Sequence, residues 1–162
     1  MRPPSSRPAS ALRSLADDVR SRSDDQLQEL VRRRPDLARP APSDLTSLAA
    51  RASTRSSVQR ALDGLDRGHL EVLEALVVSG DPVDLGRTTT LLGRPAMSLD
   101  GFVQDLWDRA LLWRGGDGQH VVRAAAEVLG PHPAGLGPTI ADLRGSTPAS
   151  YASPEALDAV IA

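Results

Sequence analysis

Between Met97 and Arg123 the spacing of the apolar residues changes. In "MSLDGFVQDLWDRA", Phe102, Val103, Leu106 and Trp107 recur at the period of one helix face. In "LLWRGGDGQHVVR", which follows without a break, two short apolar runs flank a glycine turn, the pattern of a β-hairpin. A helix that runs straight into a hairpin leaves few arrangements open. Both must bury their apolar side against the elements that precede them.

Two more helical stripes lie upstream. "HLEVLEALVVSG", taken as starting after Gly68, puts Leu70, Leu73, Leu76 and Val77 on one face, and "GDPVDLGRTTTLLG" gives a second helix closed by Gly93. Three helices and a hairpin over residues 66–129 predict a winged helix-turn-helix domain with a short β-hairpin wing.

Residues 11–65 predict a helical subdomain. "SALRSLADDVRSR" spaces Leu12, Leu15, Ala16 and Val19 for a helix. "SDDQLQELVRRRP" opens with Ser23 and Gln26 as a capping box and closes on Arg32, Arg33 and Arg34, which complement the helix dipole. After the turn-rich "PDLARPAP", Ser43 is the expected cap of "DLTSLAAR". Thr54, Ser56 or Ser57 is the expected cap of a helix carrying Val58, Leu62 and Leu65.

Residues 1–10, "MRPPSSRPAS", form an expected disordered lead-in. Residues 130–162 read as a Gly/Pro connector and the start of a further helix, with Ser153 as its cap. Because that helix stops on apolar residues, the chain reads as the N-terminal part of something longer. The expected fold class is therefore mainly α.

Composition narrows the function. Aromatic residues are only 2% of the chain, so the core must be Leu, Val and Ala, and a sheet that stacks bases on aromatic rings is disfavoured. There is no cysteine, which removes disulfides, zinc ribbons and thiol nucleophiles. All 19 basic residues are arginine, so a Walker phosphate loop or a Schiff-base lysine cannot occur in this sequence. No apolar window is long enough to span a membrane and no signal core is present, so a cytoplasmic location is expected. Residues 1–60 carry 12 arginines against 7 acids, a net of +5, whereas residues 61–162 carry 7 against 14, a net of −7. A nucleic-acid surface would draw on the first half.

The pattern carries no catalytic or metal constellation. His69, His120 and His132 lack metal-ligand spacing, and the Asp17–Asp18 and Asp24–Asp25 pairs lie on polar faces near helix ends. The expectation is a non-enzyme with no cofactor.

For DNA the most suggestive stretch is "RASTRSS", where Arg51, Thr54 and Arg55 meet a helix start. Arg87, Thr88 and Arg94, and the wing residues Arg114 and Arg123, are further candidates for backbone contact. Against groove reading stand Asp100, Asp105 and Asp108 on the third helix, whose charge would repel a polyanion.

The order of these pieces resembles the N-terminal part of the actinobacterial helicase-associated-domain proteins, also described as carrying an XPB-like helicase N-terminal domain. The resemblance covers roughly residues 12–138. It rests on "RPDL", on "DL" with "LAARASTR" and "RALD", on "VLEAL" and on "GPHPAGLG". It implies a DNA-processing context, with DNA or a helicase as partner, and transfers no catalytic residue. The expected function is a non-catalytic accessory module contacting DNA backbone or a partner protein. A winged-helix transcription regulator and a pure protein–protein adaptor are the alternatives.

Overall fold

The structure, a computed structural model, describes residues 14–135. The expected lead-in, Leu12 and the helix at 153–162 lie outside these residues. Eight α-helices and one hairpin occur among the described residues: α1 Leu15–Ser21, α2 Asp24–Arg33, α3 Leu45–Ala52, α4 Arg55–Asp63, α5 Arg67–Ser79, α6 Leu85–Leu92, α7 Asp100–Asp108, β1 Leu112–Arg114, β2 Gln119–Val121 and α8 Arg123–Leu129. The molecule is mainly helical, as the apolar spacing predicts. No helix among these residues is long and apolar enough to cross a membrane.

Side-chain caps fix most helix starts. Ser23 and Gln26 form the expected reciprocal box on α2, and Thr54 caps α4 through the Ser57 amide at 3.4 Å. Two expectations are corrected. α3 is capped by Asp44, whose carboxylate takes the Ser47 amide at 2.7 Å, while Ser43 binds only the Ser47 hydroxyl. α5 begins at Arg67, before Gly68, because Asp66 caps it through the His69 amide at 2.9 Å. Carboxylates make good caps because they also meet the positive end of the helix dipole.

α5 is the central element. It packs on α6, α7 and α8, so it buries Val72, Leu73, Ala75, Leu76 and Ser79 rather than one narrow stripe; Leu70 and Val77 are half-buried. β1 and β2 pair antiparallel with Leu112 opposite Val121, Trp113 opposite His120 and Arg114 opposite Gln119. The chain then enters α8, which the hairpin pattern did not predict. Arg123 is the first residue of this helix and not part of the strand. α8 packs against α4, and buried residues from Leu15 to Ala125 form one contiguous core.

Two buried arginines tie the first helices to α7. Arg34, 1% exposed, donates to the carbonyls of Arg109 at 3.1 Å and Ala52 at 3.4 Å and to the Ser57 hydroxyl at 2.5 Å, with Asp36 at 3.6 Å. Arg22 donates to Asp18 at 2.9 Å and to the Trp107 carbonyl at 2.7 Å. Asp18 in turn accepts the Trp107 indole N–H at 3.0 Å and the Arg114 amide at 3.2 Å. Burial of the two guanidinium groups pulls both pKa values below their ordinary level, and the neighbouring carboxylates oppose that.

Candidate nucleic-acid interface

The eight candidate contact residues divide into those the fold uses and those it leaves at the surface. Arg51, near the end of α3, donates to the carbonyls of Leu37 at 2.8 Å and of Pro40, clamping the connector that follows α2. Thr54 accepts the Ser57 amide and donates to the Arg51 carbonyl at 2.9 Å. Arg51 therefore serves the α2–α3 connector and Thr54 the α3–α4 junction. Thr88 is fully buried, with its hydroxyl on the Asp84 carbonyl at 2.8 Å. It presents nothing to a ligand, and its place among the candidates is corrected. A threonine one turn into a helix readily back-bonds in this way when its face is covered.

Arg94 lies 3.6 Å from Glu71, and Arg114 donates to Gln104 at 2.7 Å while its guanidinium lies 4.2 Å over the Trp107 ring. Arg87 is exposed on α6. These three do not form one patch with the rest.

Arg55 and Arg123 do come together, although 68 positions apart in the chain. α4 and α8 pack side by side. Arg55 Nη1 reaches the Glu127 carbonyl at 3.5 Å, and Arg123 Nε reaches the Glu127 carboxylate at 2.8 Å. Arg123 is 93% exposed, so its pairing with Glu127 is solvated and weak. A shallow cleft beside them is lined by Ser14, Ser53, Trp113, Arg123 and Glu127. Ser56 and Arg60 extend the exposed side of α4. The surface so formed carries the guanidinium groups of Arg55, Arg60 and Arg123 with the carboxylates of Glu127 and Asp63, while the Ser53 hydroxyl is already given to the Ala49 carbonyl at 3.0 Å. Guanidinium groups are the donors that phosphate oxygens accept bidentately.

The aspartates of α7 behave differently from the sequence expectation. Asp105 pairs with Arg33, with Arg109 at 2.7 Å and with His69 at 3.3 Å. Asp108 accepts Gln104 at 2.8 Å and lies 3.8 Å from Arg33. Two of the three carboxylates are thus answered inside the fold, and the end of α2 covers that side of α7. Only Asp100 is exposed, beside a groove lined by Leu85, Leu99, Val103 and Arg114. Asp repulsion therefore weighs less than the sequence implies. Cover by α2 instead limits how far α7 could enter a DNA groove.

Two of the terminal arginines of α2 are used within the molecule, Arg33 on Glu29 and Asp105 and Arg34 in the core, while Arg32 pairs with Glu29 at the surface. The spacing of the three predicts only that they complement the helix dipole; the use of Arg33 and Arg34 as anchors for α7 has no local signal. Among the described residues no group of three or more His, Asp or Glu side chains is placed to hold a metal. Comparison of the chain with protein-family models, with characterised proteins and with solved structures finds no match.

Proposed function

We propose that the chain is an accessory binding module of a DNA-processing protein, and that its α4–α8 face contacts the DNA backbone. The carrying observation is the convergence of Arg55 and Arg123 on Glu127 at the exposed edge where α4 packs on α8. The order of α5, α6, α7 and hairpin supports reading this unit as a winged helix. Its third helix is fastened to α2, so the unit serves as scaffold rather than as a groove reader. The sequence resemblance supplies the DNA-processing context.

A second reading is docking to a partner protein. It is favoured by Leu85, Leu91 and Met97, which are 40%, 43% and 87% exposed around α6 and the turn after it.

Amide chemical shifts during titration with a short DNA duplex separate the two. The expected result is perturbation confined to residues 53–60 and 123–127. Perturbation centred on residues 85–104 would instead favour groove contact, and none at low salt would leave the protein-docking reading in its place.

A further inference from the structure

The turn of the hairpin is fastened to the loop between α5 and α6 by three contacts. The Val83 amide donates to the Gln119 carbonyl at 2.8 Å. Gly118, at φ +147°, approaches Pro82 so closely that a Cβ on it would stand 3.2 Å from the proline Cβ. The His120 ring spans the joint. Its Nδ1 lies 2.5 Å from Asp81 Oδ1, on the loop, and its Nε2 lies 2.9 Å from Asp117 Oδ1, in the turn. The ring is stacked on Trp113 with centroids 4.0 Å apart and planes at 12°.

Both partners of His120 are carboxylates, which only accept hydrogen bonds. For both bonds to form, both ring nitrogens must carry hydrogen, so the geometry is that of the imidazolium ion. A neutral ring would turn a lone pair toward one of the two carboxylates. Asp81 and Asp117 are the charged groups that face the ring, and Trp113 covers one of its faces. Gly115 is also required by this arrangement. A Cβ there would stand 2.7 Å from both Asp117 Oδ1 and His120 Nε2.

We propose that His120 is a proton-operated latch, which holds the hairpin turn on the α5–α6 loop when protonated and releases it when neutral. The latch goes beyond the backbone-contact reading and does not depend on it. Burial of the ring lowers its pKa, but the hydrogen bonds and charges of Asp117 and Asp81 outweigh that and set it above the ordinary 6.5. A raised histidine pKa stabilises the latched form fully below pH 6.5, and this contribution is lost as pH rises through the folded value.

The test combines ring ¹⁵N shifts of His120 across pH with the protection factor of the Val83 amide, corrected for intrinsic exchange. His120 is expected to titrate above 6.5. Val83 protection is expected to fall about three- to tenfold over the same range, as for loss of a charge-assisted hydrogen bond with partly solvated partners. Asp81→Asn with Asp117→Asn alters two exposed side chains, so the fold should persist. In that variant His120 should titrate at or below the ordinary value, with low Val83 protection at every pH. Gly115→Ala should lower the protection at acidic pH by forcing ring and carboxylate apart. Titration of the native ring at or below 6.5, or Val83 protection that ignores it, would overturn the latch. An unchanged titration in the double Asn variant would overturn it equally.

Discussion

Replacing Arg34 with alanine should destabilise the protein by about 3–5 kcal/mol, the range for breaking a buried charged network from one side. The side chain is 1% exposed and joins the ends of α3 and α7 to the start of α4. Alanine would leave the Ala52 and Arg109 carbonyls without these donors and open a void where the stem packs. Arg34→Met, which fills much of that volume without donors, should cost about half as much. Urea unfolding of both variants checks this. A loss under about 1 kcal/mol for the alanine variant would mean that the Arg34 network adds little to what Arg22, Arg33 and apolar packing already do in holding α7.

Asp18→Ala should have an effect of similar size, about 3–5 kcal/mol, because it strands the buried Arg22. Asp18 is 1% exposed and accepts from Arg22, the Trp107 indole and the Arg114 amide. Arg22→Ala should also be costly, since Asp18 would then lack its cation. The double variant removes both charges, so it should cost less than the two single changes added together, by at least about 1 kcal/mol. Additive losses would show that the two residues act through separate contacts.

These anchors explain which parts of the fold could be read from the sequence. Apolar spacing locates α2, α5, α7 and the hairpin because their inward residues recur at a local period, and Gly93 marks the end of α6. The capping box at Ser23 and Gln26 is legible for the same reason. α8 is missed although "RAAAEVL" is rich in good helix formers, since the hairpin reading absorbed Arg123 as the end of the strand. Cap choice between Ser43 and Asp44 turns on one residue of register, which the residue types alone do not decide.

The polar contacts between distant elements were the least legible part. Arg34 follows Arg32 and Arg33 in an apparently uniform basic end, yet it alone turns fully into the core. Asp105 and Asp108 look like an exposed acidic face until α2 is packed against α7. Thr88 reads as a surface hydroxyl and is fully buried, with its hydroxyl on the Asp84 carbonyl. Arg55 and Arg123, by contrast, were each singled out from sequence. Only the pairing of α4 with α8 brings them to one place.

The most direct test of the backbone-contact reading is fluorescence anisotropy with duplex and forked DNA across a salt series, comparing the native chain with Arg55→Ala/Arg123→Ala. Arg51→Ala serves as control, because the fold already uses that side chain on the Leu37 and Pro40 carbonyls. Each phosphate neutralised contributes about −0.9 to the slope of log affinity on log salt, so losing both arginines should flatten the slope by about 1.8, with the control near native. An unchanged slope in the double variant, or no affinity at low salt, would contradict the assignment of the α4–α8 face to DNA.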